Sequence, residues 1–151
     1  MPAHVYICER SDIDALKKML AYDPYLDPNV IPHRHDDDPK KMSEEDKKRM
    51  ADEDKRVSEN LAKLKSDVFF DVIFARQEYE ILDGVTLNLE KEKYYLYLKA
   101  NDDFLNKADK KLEKYFNSIK RADKNTEEKV IAFIEDRNNK AEAGFGSIFG
   151  V

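Results

Sequence analysis

Two of the three histidines in this 151-residue chain lie one residue apart, and three consecutive aspartates follow: residues 31–41 read IPHRHDDDPKK. In an extended segment, residues i and i+2 point the same way. His33 and His35 can therefore chelate one divalent ion, with Asp36 or Asp38 adding a carboxylate. The third histidine, His4, and the single cysteine, Cys8, share one face of a short strand expected over residues 4–9. At ~3.3 Å per residue they stand ~13 Å apart, too far to bind one ion together unless the strand bends. Either one can complete a site with His33 and His35. The competing reading makes residues 31–41 a solvated, Pro-rich arm whose aspartates face the positive end of a following helix. The spacing is far less specific than paired CxxC motifs. The arm is preferred and no cofactor is expected; a divalent metal is kept as the alternative.

Other chemistries find less support. Barrel hydrolases that use a His-x-His pair need ~200 residues or more. Di-iron bundles require Glu-x-x-His on two helices, and no histidine follows His35. There is no Gly-x-Ser-x-Gly nucleophile turn. Only four glycines occur, three of them within residues 144–151, so no phosphate-cradling loop can be drawn. Cys8 reads as a buried, inert thiol. No catalytic residue is assigned, and the balance leans away from an enzyme.

Composition bounds the partners. Charged residues make up 39% of the chain and hydrophobic residues 41%, yet the net charge is only −5 and the pI about 5.3. Interspersed charge of both signs fits long, solvated helices. Eight phenylalanines and eight tyrosines argue for a real core rather than disorder. An acidic chain lacks the basic face that nucleic acid requires. The lysines around residues 107–124 are nearly matched by acids, so a nucleic-acid accessory role is the weakest reading. One cysteine fits a reducing compartment, no secretory leader is visible, and no apolar run approaches a membrane span, so a cytoplasmic protein is expected. Many lysines and a single glutamine point toward a thermophile; nine asparagines point away from one.

The elements that must position these residues read as follows. A strand over 4–9 precedes a helix from about Ser11 to Ala21 that buries Ile13, Leu16 and Leu20. Four prolines mark residues 22–41 as an arm. Ser43 caps a long helix, along which Val57, Leu61, Leu64, Val68, Val72, Tyr79 and Leu82 form a coiled-coil-like seam. Gly84 then closes that helix, and a new one follows Thr86, with a second start at Asn101. A hairpin about Asp83-Gly84 competes, but a two-residue turn there sets Leu87 and Leu89 opposite Glu80 and Glu78, which is poor pairing. A last helix opens at Thr126 and ends by Gly144, leaving a tail with Phe145, Ile148 and Phe149.

The expected fold is therefore mainly α: a bundle of long amphipathic helices behind a short N-terminal strand-helix unit. The alternative is α+β with a hairpin around Asp83-Gly84. Three segments are expected: 1–42, 43–143 and the 144–151 tail. The expected function is a non-enzymatic interaction or scaffold protein that self-associates or binds a protein partner, through the seam from Val57 to Leu82 and the tail. A metal-binding protein using His33 and His35 is the second reading.

Overall fold

The computed structural model describes residues 1–31 and 43–148, excluding the side chains of 144–148. It overturns the helical bundle. Among the described residues the fold is mixed, with a four-stranded antiparallel sheet and four α-helices. The α+β alternative fits it.

The strands are β1 (Ala3–Glu9), β2 (Glu78–Asp83), β3 (Lys93–Lys99) and β4 (Lys120–Arg121), and the helices are α1 (Ile13–Ala21), α2 (Glu44–Lys65), α3 (Asp102–Tyr115) and α4 (Lys124–Ile148). Strand order is β2-β3-β1-β4. Each neighbouring pair is antiparallel, so β1 runs parallel to β2 and β3 parallel to β4. Two β-α-β units thus interleave in one sheet, the split β-α-β arrangement.

The sheet forms because β1 and β3 alternate with period two and are apolar on both sides. Seven residue pairs join them, from Ala3↔Lys99 to Glu9↔Lys93. Tyr6, Cys8, Leu96 and Leu98 face one way, against Ile13, Leu16 and Leu20 of α1 and Leu105, Ala108 and Leu112 of α3. Val5, Tyr95 and Tyr97 face the other way, against Val130 and Ile134 of α4. The sheet is sandwiched between two helical layers.

The expected helices on either side of Gly84, running to about Asp83 and onward from Thr86, do not form over residues 66–99 beyond a single 3-10 turn at Phe74–Arg76, and three local features explain why. Asp67 Oδ1 accepts the backbone N–H of Phe69 at 2.9 Å. Such a bond offers the backbone an alternative to continuing a helix, and α2 stops at Lys65. Phe69, Val72 and Phe74 then turn inward to the α1–α3 core, so the seam is broken after Leu64. The hairpin has no two-residue turn. Residues 84–92 connect β2 to β3, and this longer loop resets the register: Leu82 lies opposite Tyr95 and Glu80 opposite Tyr97. The poor carboxylate–leucine pairing of the tight turn never arises. Within the loop Asp83 Oδ1 accepts from Thr86 N at 2.7 Å, Asn88 adopts a left-handed φ of 57°, and Gly84 N donates to Lys93 O at 2.9 Å.

Several sequence signals do appear where expected. Ser43 Oγ accepts from Asp46 N at 3.1 Å, and Asn101 Oδ1 accepts from Phe104 N at 2.8 Å at the start of α3. The helix α2 buries only Val57; its solvated faces are supported by close-spaced pairs such as Lys47–Glu44 and Arg49–Asp46. The last helix departs from its expected bounds: it opens before Thr126, at Lys124, and does not end by Gly144 but runs to Ile148. No described helix is long and apolar enough to cross a membrane.

Gly84 is the tightest point of the β2–β3 connection: a Cβ there would meet the carbonyl oxygen of Glu90 at 1.7 Å. Gly84→Ala should therefore cost on the order of 3 kcal/mol of unfolding free energy, measured by urea titration. Val85→Ala next to it, at a side chain 64% exposed, should stay within about 0.5 kcal/mol of the parent.

Candidate functional site

The candidate site lies on the α1–α3 side of the sheet. There the end of α1, the last turn of α2, residues 66–73 and the end of α3 surround an open cleft of about 370 Å³. Its walls are apolar, built from Met19, Leu64, Phe69, Phe70, Val72 and Ile73. Large apolar side chains crowd the rim: Tyr22 is 41% exposed and Tyr115 46%. Tyr25, also exposed, packs against Phe70 with ring centroids 6.1 Å apart. A second hollow, lined by Val30, Asn60 and Lys63, shares Tyr22, Leu64 and Asp67 with the first and extends it along α2.

Two polar groups organise the cleft. Asp67 accepts the Tyr115 hydroxyl as well as the Phe69 amide, and lies 3.6 Å from the Lys114 ammonium. These bonds, the Tyr115 hydroxyl first, hold its carboxyl below the usual aspartate range, and the same bond pushes Tyr115 up. Asp67 is thus a fixed anion that pins the turn 66–69 to α3. The second group is Lys111. Its Nζ donates to the Val72 carbonyl at 2.9 Å and sits 5.4 Å from the Phe74 ring. Burial lowers its pKa below that of an ordinary lysine, against the opposing pull of Asp67 and Asp71. Lys18, at the end of α1, is the other ammonium lining the cleft.

A separate polar cluster occupies the β4 edge. Asp109 of α3 accepts from the Tyr6 hydroxyl and bonds the His4 ring at 3.0 Å. Its other oxygen lies 3.5 Å from Arg121 Nη1. Arg121 also forks onto Glu127 at 2.9 and 3.1 Å, and Glu127 accepts the Val5 amide at 3.1 Å. Burial, then the bond to Asp109, raises the Tyr6 pKa far above that of free tyrosine. These five side chains bind β1, α3, β4 and α4 to one another. The hollow beside Tyr6, Asp109 and Arg121 is about 90 Å³, well below the size of usual ligand sites.

The structure scatters the residues singled out in the sequence. His33, His35, Asp36 and Asp38 lie outside the described residues. His4 is engaged by Asp109. Cys8 is fully buried and its thiol is pushed up to about 12 by that burial. Among the described residues no three His, Cys, Asp or Glu side chains converge as a metal cage would require. Of the seam, Val57, Val72 and Leu82 are buried, Leu61, Leu64 and Tyr79 half-buried, and Val68 77% exposed. Leu64 and Val72 line the cleft; Leu82 belongs to the opposite, α4 side of the sheet. Phe145 and Ile148 lie on the described backbone of α4, while Phe149 lies outside the described residues.

The sequence marks Phe70 only as part of an apolar helix surface with Phe69, Ile73 and Phe74, and Lys111 only as one of a lysine-rich face, neither as a site residue. Lys111 belongs to a row of lysines expected to be solvated, two of which pair with acids: Lys107 with Asp71 at 3.0 Å and Lys114 with Asp67 at 3.6 Å. Nothing local marks Lys111 as the one that turns inward. No family model matches the chain, and no curated protein or solved structure matches it.

Asp109→Ala strands the Tyr6 hydroxyl and the His4 ring, and should cost about 1–3 kcal/mol in chemical unfolding. The Tyr6 pKa is raised in the fold, so the stability it brings is present below the ordinary tyrosine value of 10.0 and is lost as pH rises above it. Unfolding free energy should therefore fall above pH 10.0, and Tyr6→Phe should make that alkaline decline shallower.

Proposed function

We propose that this chain is a non-enzymatic interaction module whose binding surface is the aromatic-rimmed cleft between α1, α3 and residues 66–73. The observation that carries this reading is the combination of apolar walls with exposed Tyr22 and Tyr115 around an opening of about 370 Å³. That volume is at the small end of ligand sites, enough to seat one or two large apolar side chains. Aromatic anchors in a desolvated pocket with a polar rim are how protein interfaces concentrate their affinity. The guest is an apolar segment of a protein. Lys18 and Lys111 favour acceptors at its edge and disfavour a basic segment.

Fold alone argues nothing about activity, since one architecture hosts many functions; the reading stands on the cleft. The single, buried cysteine supports a protein that works in a reducing compartment such as the cytoplasm.

The dye 1-anilinonaphthalene-8-sulfonate, an apolar anion, tests the site. It should bind the folded protein saturably with a fluorescence rise. Phe70→Asp should weaken that binding at least ~10-fold, about 1.4 kcal/mol, with circular dichroism unchanged. Val85→Asp, on the β2–β3 connection, should leave it intact. Dye binding that is absent, or indifferent to Phe70→Asp, overturns the reading.

A further inference from the structure

We infer that the cleft's guest is the C-terminal segment of a second copy of this chain, so that the protein assembles tail into cleft; this rests on the cleft being a protein-binding site.

The first argument is the course of α4. It starts beside β1 and β4, where Glu127 holds the Val5 amide and Arg121. It crosses under the sheet on Val130 and Ile134 and reaches β2, where the Arg137 fork grips Glu80 at 2.6 and 2.6 Å. The helix does not stop there. Residues 138–143 are exposed, and the helical backbone continues to Ile148. At ~1.5 Å per residue, Ile148 is carried ~21 Å beyond the last fully buried contact at Ile134. Among the described side chains of the overhang, those of 138–143 add nothing to the core.

The second argument is what the overhang carries. Residues 144–151, GFGSIFGV, contain no charge in a chain that is 39% charged. Phe145, Ile148 and Phe149 follow the i, i+3, i+4 spacing with which an amphipathic helix anchors in an apolar groove.

The third argument excludes the chain's own cleft. The cleft opens on the α1–α3 side of the sheet, and α4 lies on the other. The described backbone of α4 runs on the far side of the sheet past β2 to Ile148, so it does not enter the cleft of its own molecule.

The fourth is complementarity. The carbonyls of a helix's last turn carry the negative end of its dipole. The cleft offers two ammonium groups, Lys18 and Lys111, beside apolar walls. Tail and cleft are different surfaces, so the contact is heterologous: two copies can exchange tails into a closed dimer, or a larger ring can form.

Three full-length proteins decide the matter: the parent, a tail variant (Phe145→Asp with Ile148→Asp) and a cleft variant (Phe70→Asp). All should show the same circular dichroism. In light scattering from ~10 μM to ~1 mM, a range that covers the weak affinities expected of so small a contact, the parent should rise to a dimer or ring. Each variant alone should stay monomeric. Mixed, they should form a 1:1 pair, because the cleft variant still has a tail and the tail variant a cleft. A monomeric parent, a tail variant that assembles like the parent, or a mixture that stays monomeric overturns the inference. If the dye binding lost on Phe70→Asp persists in that case, only the identity of the guest falls. If it is absent too, the cleft reading falls with it.

Discussion

The antiparallel pairing of β1 with β3 is the interaction on which everything else rests. It joins residues about ninety apart in sequence, and the two strands are apolar on both faces. A strand buried on one face needs a single covering layer; a pair buried on both needs two. Val5, Cys8, Leu96 and Leu98 are fully removed from water, each contributing roughly 1–3 kcal/mol of hydrophobic stabilisation when fully covered. That gain is available only if α1 and α3 close one side and α4 the other. The helical layers are thus consequences of the central pair.

The outer strands show the same logic in weaker form. β4 has only two residues and pairs with Tyr6 and Ile7. So short a ladder has little strength of its own, and polar side chains hold it: Arg121, the middle of the Asp109–Glu127 cluster, is one of its two residues. β2 is longer and keeps its own tie to α4 through Glu80 and Arg137. The two edges of the sheet are therefore clamped to one helix at its two crossing points. Beyond the second clamp, the side chains of residues 138–143 are exposed.

What the sequence revealed followed from whether the signal was local. The strand at 3–9 and the helix after it have clean periods, and the caps at Ser43 and Asn101 are side chains acting on amides three residues away. The stretch from Val68 to Leu98 failed for a different reason. A strand buried on both faces, such as KYYLYLK, carries no alternation of apolar and polar residues and satisfies a helical stripe equally well. The decision between the two lay in pairing with β1, far away in sequence. The hairpin was rejected on its register, and that objection was sound for a two-residue turn; the longer connection at 84–92 removed it. The cleft could not be read at all. Its walls come from α1, α2, α3 and the turn between α2 and β2, and only tertiary packing brings them together.

Asp67 shows how one local choice builds that cleft. By accepting the Phe69 amide it draws the backbone out of the helical path just after α2. By accepting the Tyr115 hydroxyl and attracting Lys114 it fixes the displaced turn against α3. Phe69 and Phe70 would otherwise extend a helix; here they become a wall. The turn also sets the Val72 carbonyl against Lys111. Lys111 is half-buried, and a partly desolvated ammonium is costly unless its donors are used; it has three. Val72 takes one, and the Phe74 ring stabilises the charge by its face. A methionine of similar length would fill the same space without the desolvation cost, so packing alone does not account for a lysine there. What a lysine adds is directed donors at the wall of an apolar hollow, the feature on which the proposed preference for a guest with oxygen acceptors rests.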